Sequence, residues 1–373
     1  MNVIIAAGGT GGHINPALAA AEELKRRFPD AEITFVGCAD KMEATIIPAA
    51  GYEFRVVEAV GFVRRFTPKA ILANIRAVII ALRTDLKVRR LFRELKPDAV
   101  VGFGGYVSGP VVRRAAKMGI PTAVHEQNSY PGVANKLLAP VVDRVMLTTL
   151  APAKYMKCKN EPVLTGLPVR KSIFTADREA ARRNLSVPDG SLLVVSFGGS
   201  LGARTLNNAV LELMIRHGND EKIRFIHSYG TYSEYADFPE RLQRAGINGG
   251  TVTASSYLNN MDELLAAADL VISRAGASTL FELAAAGKAS VLIPSPNVTE
   301  NHQFHNAMTL ADAGAAVVIE EKDLTDDLFC ETVDGLLKEP GRLRVMGEAA
   351  KTLAIPDSAE RIADIIEGLA CPR

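Results

Sequence analysis

Along the chain, short apolar runs rich in β-branched residues alternate with longer stretches whose apolar positions recur at helical spacing. A continuous apolar run marks a strand buried on both faces, and a helix between two such runs marks a crossover. The pattern therefore predicts parallel sheets covered by helices. In the first half the runs are Val3–Ala6, Ile33–Val36, Phe54–Val57, Ala99–Val101, Thr122–Val124, Val145–Leu147 and Pro162–Leu164. In the second half they are Leu192–Ser196, Arg224–His227, Thr251–Ala254, Leu270–Ile272, Ser290–Ile293 and Ala316–Ile319. The expected architecture is α/β, with two doubly wound parallel sheets.

Two of these runs open alike. "NVIIAAGGTGGHINPALA" from residue 2 superposes on "LLVVSFGGSLGARTLNNA" from residue 192, with Gly8-Gly9 on Gly198-Gly199 and Gly12 on Gly202. This echo predicts a duplicated architecture with a boundary near "TGLPVR" at 165 to 170. The N-terminal domain would span 1–167 and the C-terminal domain 168–354, followed by a helix over about 355–373. Glycines between a strand and a helix let backbone N–H groups approach an anion, so a phosphate is the first ligand to consider at these loops. Neither loop completes G-x-G-x-x-G, and Gly287-Lys288 is followed by Ala289, so dinucleotide and Walker-type binding lose ground. His13 falls opposite Ala203, so the shared loop does not need an imidazole to fold. It is either a base for chemistry on one side or a residue packed at a helix start.

A length of 373 residues fits two domains, and 43 Lys and Arg against 42 Asp and Glu leave a net charge of +1, which argues against a nucleic-acid partner. The charge is unevenly spread. Between Phe62 and Lys96 ten basic residues meet two acidic ones, giving +8 there and −7 elsewhere. Inside this segment "AILANIRAVIIALR" sets Ile71, Leu72, Ile75, Val78, Ile79 and Leu82 on one helical face. That face either packs on the core or lies on an anionic lipid surface. Cys38, Cys158, Cys330 and Cys371 lie far apart without C-x-x-C, as reduced structural thiols do. No basic region precedes the first strand-like run, and no apolar span reaches about 18 residues, so the expected compartment is the cytoplasm.

The second half adds "SRAGASTLFELAAAGKASVLIPSP" at 273 to 296, where Ser278-Thr279 should open a helix with Glu282 in its first turn. Hydroxyls and N–H groups there suit an anion, whereas the carboxylate suits two sugar hydroxyls, or else a capping-box role. "PNVTENHQFHNA" at 296 to 307 carries many donors and acceptors and little net charge, as a site for a neutral sugar would. His302 and His305 could hold a metal instead, but no third ligand is evident nearby.

Taken together, "GGTGGH", "GFGGYVSGP", "HEQN", "TGLPVR", "GGSLGA", "SRAGASTLFELAAAGK" and "NHQFHNA" resemble the bacterial N-acetylglucosaminyltransferases that complete the lipid-linked peptidoglycan precursor. The resemblance implies two Rossmann-like domains facing across a cleft, the GT-B arrangement. It implies UDP-N-acetylglucosamine as donor, bound mainly by the second domain. The acceptor, undecaprenyl-pyrophosphoryl-N-acetylmuramoyl-pentapeptide, would sit on the first domain at the cytoplasmic face of the cell membrane. Its sugar 4-hydroxyl would displace UDP with inversion.

Carried over by position, Glu282 would hold the ribose. Ser200 with Ala277, Ser278 and Thr279 would hold the diphosphate, with Leu258 and Leu280 in the same donor site. His302 and Gln303 would meet sugar hydroxyls, and Arg170 would reach the nucleotide. Thr10, Gly11, Gly12 and Asn128 match first-domain contacts to the donor sugar, while Gly104, Gly105 and Tyr106 are placed to meet the acceptor. Ile75, Ile79, Leu82 and Arg83 would meet the membrane. His13 is the candidate base, with an ordinary pKa of about 6.5, and Glu126 is its competitor. No D-x-D motif is present, so transfer without a metal or other cofactor is expected. Asn15 and Leu201 depart from the relatives' pattern, which commonly has an apolar or aromatic residue and a glutamine there. Rival readings are a related transferase with a diacylglycerol acceptor, a UDP-N-acetylglucosamine 2-epimerase, which would need several carboxylates, and a non-catalytic nucleotide-sugar binder.

Overall fold

The computed structural model describes residues 1–59, 67–247 and 250–371, and within the helix Pro68–Leu95 the side chains of 68–73 and 75 also lie outside the described set. The chain divides into two compact units. One takes Met1–Pro168 together with the chain end from Asp357, the other Val169–Pro356.

In the first unit the strands are β1 (Asn2–Ala7), β2 (Glu32–Gly37), β3 (Glu53–Val56), β4 (Ala99–Gly104), β5 (Thr122–Glu126), β6 (Arg144–Leu147) and β7 (Val163–Leu164). They form one sheet in the order β3-β2-β1-β4-β5-β6-β7, and every neighbouring pair is parallel. The second unit carries β8 (Leu192–Phe197), β9 (Ile223–Ser228), β10 (Val252–Ser255), β11 (Leu270–Ser273), β12 (Ala289–Leu292) and β13 (Ala316–Val318). Their order is β10-β9-β8-β11-β12-β13, again parallel throughout. Each apolar run of the sequence becomes one of these strands.

The reason is visible in β1 and β8. Val3 to Ala7 and Leu193 to Val195 are fully buried because helices cover both faces, so alternation gives way to continuous apolar sequence. Both sheets reverse direction of winding beside their first strand, between β1 and β4 and between β8 and β11. At such a switch point neighbouring loops diverge and leave a crevice at the strands' C-terminal ends, which is where ligands bind in open α/β sheets.

The helix Ser358–Ala370 belongs to the first unit. Its Ile362, Ala363 and Ile366 share a core with Ile14, Ala17 and Leu24 of the helix Gly11–Arg27. Arg27 fastens the two, donating to the Glu360 carbonyl at 3.2 Å and pairing with Asp364.

The basic helix Pro68–Leu95 turns Ala77, Thr84, Val88, Leu91 and Phe92 inward. Val78, Ile79, Leu82 and Leu86 are exposed, Leu82 by 63% and Leu86 by 59%. Of the apolar face that the sequence left open between core and surface, Val78, Ile79 and Leu82 are therefore on the surface, flanked by exposed Arg76, Arg83, Lys87 and Arg90, while the side chains of Ile71 and Leu72 lie outside the described set. Of the four residues assigned to the membrane, Ile75 lies outside the described side chains. Among the described residues no helix is long and apolar enough to cross a membrane.

Candidate active site

In the first unit, the loop after β1 and the loop after β4 press together at the switch point. Gly105, in the left-handed region at φ 79°, lies so close to the first loop that a Cβ there would sit 2.3 Å from the Gly8 carbonyl oxygen. A Cβ on Gly104, at φ 104°, would sit 2.6 Å from His13 Nδ1. Gly105 lets the two loops meet backbone to backbone, and Gly104 leaves room for the imidazole. Gly104→Ala is expected to cost about 1–3 kcal/mol of strain and to push His13 out of place. Thermal melting and kcat measured together check this: kcat should fall well beyond what the melting shift explains.

His13 is the third residue of its helix, and its backbone N–H bonds to the Thr10 carbonyl at 3.1 Å. Its Nδ1 lies 3.1 Å from Gln127 Oε1. The imidazole is thus held from both sides by groups outside its own helix, which a simple helix-start residue would not require.

The glycine loop itself departs from the phosphate expectation. Glu43, 1% exposed, places Oε2 2.9 Å from the Gly9 N–H and Oε1 3.1 Å from the Cys38 N–H. A resident carboxylate already takes the loop's donor and repels a phosphate there.

Glu126, the competing base, has a different occupation. It ends β5 and is 2% exposed. Oε1 accepts from the Asn128 N–H at 3.0 Å and from Asn128 Nδ2 at 3.2 Å. Oε2 accepts from the Gly132 N–H at 2.9 Å and from Asn135 Nδ2 at 2.8 Å. Four donors on two oxygens fold the 126–135 turn around the carboxylate. Asn128 is held by this turn, and Tyr106 stands 70% exposed beside the Gly104-Gly105 turn.

In the second unit, β8 leads through Gly198 to Ala203 into the helix Arg204–His217. Gly9 and Gly199 share a left-handed backbone, at 89° and 90°, as the internal echo predicts. The echo then breaks. Gly12 is helical, whereas Gly202, at φ 86°, meets the backbone of Tyr229 and Gly230 before its helix begins. Ser200 sits exposed on the resulting wider loop, its carbonyl accepting from the Thr231 N–H at 3.0 Å.

β11 ends at Ser273, and Gly276 caps the helix Ala277–Ala286. The N–H groups of Ala277, Ser278 and Thr279, at the start of the helix, have no acceptor within it. Glu282 is the sixth helical residue, in the second turn rather than the first, which removes the capping-box alternative. Its Oε1 is 3.3 Å from Arg170 Nη2. Burial pushes the Glu282 carboxyl above its ordinary value, and Arg170 pulls it part of the way back.

Leu280 is 1% exposed and packs in the core, and its N–H bonds to the Gly276 carbonyl. Leu258 is half-buried against the same core from the segment after β10.

Glu300 and Asn301 both hold positive φ, 57° and 48°, immediately before the helix His302–Asp312. This strained pair sets where the helix starts. Gln303 Oε1 accepts from the Ser295 N–H at 2.9 Å, and His302 Nδ1 donates to the Thr299 carbonyl at 2.8 Å. Among the described residues no cluster of three His, Cys, Asp or Glu could hold a metal ion.

Sequence reasoning missed Glu43 and Gln127. Gln127 stood inside "HEQN" but was overshadowed by its neighbours, while nothing local singles out Glu43.

The glycosyltransferase family 28 N-terminal domain matches residues 3–147, and the family 28 C-terminal domain matches 193–362. An Acetivibrio thermocellus protein named UDP-N-acetylglucosamine–N-acetylmuramyl-(pentapeptide) pyrophosphoryl-undecaprenol N-acetylglucosamine transferase is 42% identical over 370 residues, covering 99% of this chain and 98% of its own. The crystal structure of Acinetobacter baumannii MurG superposes with a TM-score of 0.80 at 28% identity, over 98% of this chain and 99% of that one. A UDP-GlcNAc 2-epimerase from Neisseria meningitidis bound to UDP-GlcNAc superposes with a TM-score of 0.66 at 12% identity, over 98% and 99%, and so shares the fold alone.

Proposed function

The chain belongs to glycosyltransferase family 28, and from that premise we propose that it moves N-acetylglucosamine from UDP-N-acetylglucosamine to undecaprenyl-pyrophosphoryl-N-acetylmuramoyl-pentapeptide. The observation that carries this is identity of 42% across almost the whole chain to a transferase named for these substrates. The site agrees with it. An epimerase would need several working carboxylates, yet Glu43 and Glu126 in the first unit are both engaged by backbone N–H groups.

In this reading the second unit grips the donor. Glu282, paired with Arg170, accepts hydrogen bonds from the ribose hydroxyls. The N–H groups at Ala277, Ser278 and Thr279, together with Ser200, receive the diphosphate. That stabilises the leaving group through preorganised donors and a helix start. Gln303 and His302 meet the sugar hydroxyls, and Leu258 lines the same pocket.

In the first unit, Thr10, Gly11, Gly12 and Asn128 meet the transferred sugar, and Gly104, Gly105 and Tyr106 meet the acceptor. The acceptor 4-hydroxyl is a poor nucleophile, and His13 takes its proton as the new bond to the anomeric carbon forms. Incubating the protein with donor, with and without the lipid-linked acceptor, tests the reading. UDP release is expected only when the acceptor is present. Release without acceptor, accompanied by an epimerised sugar, would assign the isomerase, and transfer to diacylglycerol would assign the related transferase.

The exposed stripe Val78, Ile79, Leu82 and Leu86, flanked by Arg83 and its basic neighbours, supports a peripheral attachment of the chain to an anionic membrane surface. Each cation near such a surface contributes about 1 kcal/mol, and apolar side chains add burial in the headgroup region. Sedimentation with anionic vesicles should weaken steeply as salt approaches ~1 M, where the screening length falls to about 3 Å. Leu82→Glu should weaken it further at every salt concentration. Binding that ignores both salt and this substitution would remove the helix from the membrane-binding role.

A further inference from the structure

A line of hydrogen bonds runs behind His13, and the chemistry of its far end fixes the state of the imidazole at the near end. His125, on β5, is fully buried, and burial lowers its pKa to about 4, so near neutral pH it carries one N–H and one lone pair. Its Nε2 lies 2.9 Å from the Gly166 carbonyl, which only accepts, so Nε2 carries the hydrogen. Nδ1 of His125 therefore holds the lone pair and accepts from Gln127 Nε2 at 3.1 Å. The same Gln127 nitrogen donates to the Phe103 carbonyl at 2.8 Å. Two acceptors thus fix which end of the Gln127 amide is nitrogen, and the side chain is 3% exposed. Its Oε1 then faces His13 Nδ1 at 3.1 Å. An amide oxygen cannot donate, so Nδ1 of His13 bears the hydrogen, and in the neutral ring the lone pair is on Nε2.

We propose that Gln127 is a positioning residue that, with His125 behind it, holds His13 in its Nδ1–H tautomer so that Nε2 receives the proton of the attacking hydroxyl. This rests on the reading of His13 as the base. In the step itself the acceptor oxygen bonds to the anomeric carbon, whose bond to the UDP oxygen breaks. The hydroxyl proton goes to His13 Nε2, and the Nδ1 hydrogen stays with the Gln127 oxygen. Gly104 supports the arrangement, since its missing side chain leaves room for the ring to reach Gln127. The imidazolium formed is met by an amide dipole, so a neutral group orients the base without adding a charge.

Nitrogen-15 spectra of the histidine-labelled full-length protein at mildly alkaline pH separate the two tautomers, with the His13 signals assigned from a His13→Gln sample. The expected result is a protonated Nδ1 and an unprotonated Nε2 on His13. Gln127→Met, similar in size but without the amide, should shift the ring toward the Nε2–H form and lower kcat about tenfold while the donor KM holds. A wild-type His13 protonated at Nε2 overturns the proposal whether or not the variants fold, and so does a Gln127→Met enzyme with unchanged kcat. If His13→Ala keeps its turnover while the wild-type spectrum shows Nδ1–H, the base reading has failed and the tautomer assignment has not, so the two failures are told apart.

Discussion

Replacing His13 by alanine is expected to lower kcat about 10²- to 10⁴-fold, the range that a positioned general base contributes, while the KM for the nucleotide sugar stays within a few fold. In the proposed reaction the loss falls on kcat because the imidazole would act on a proton that moves only as the sugar transfers, with the donor held chiefly by residues of the second unit. Fold stability should change little. His13 is only half-buried, and its helix is anchored through Ile14, Ala17 and Leu24 rather than through the ring. Steady-state UDP release at saturating donor and acceptor, beside a thermal melt, measures both quantities. A variant with near-normal kcat would remove His13 from the chemistry.

Glu126→Gln should show the reverse pattern. The glutamine is nearly isosteric, but its amide nitrogen must face one of two pairs of donors, Asn128 N–H and Nδ2 or Gly132 N–H and Asn135 Nδ2. At a position 2% exposed no water can relieve that clash of donor against donor. The expected cost is about 3 kcal/mol, from an unsatisfied buried group and the loss of charge-assisted bonds. For a unit of this size that corresponds to a fall of about 6–12 °C in its melting transition. At a temperature where the variant is folded, kcat should fall far less than in His13→Ala. Unchanged melting with a kcat loss as deep as that of His13→Ala would make Glu126 the base after all.

The sheet architecture was legible because burial on both faces of a parallel strand leaves its mark in the strand's own residues. β1 and β8 read as apolar runs before anything is known of their neighbours, and the recurrence of the glycine turn reveals the duplication. The site was legible in part. His13 stood out because its counterpart is Ala203, and Glu282 because a carboxylate sits ill beside a phosphate. The hydrogen bonding of Glu126 was not legible, since an acidic residue in a polar motif looks the same whether or not four donors surround its oxygens. Nor was the displacement of Glu282 to the second helical turn, because helix starts are set by caps such as Gly276 that bear no distinctive side chain.

What the chain determines by itself, then, is everything that local periodicity and residue type can encode: the order of strands and helices, the paired glycine loops, the concentration of positive charge in one helix, and the single imidazole on one loop. Tertiary structure decided who bonds to whom. His13 and Gln127 are 114 residues apart, Gly9 and Glu43 are 34 apart, and Arg170 and Glu282 are 112 apart. Hydrogen bonds and buried charges depend on distances of about 3 Å in space. Such distances are set when the β1 and β4 loops meet, and when the basic helix turns Val88 and Phe92 inward and leaves Leu82 and Leu86 outside. No spacing along the sequence carries that information, because the same residues in the same order are compatible with either face of the helix and either tautomer of the ring.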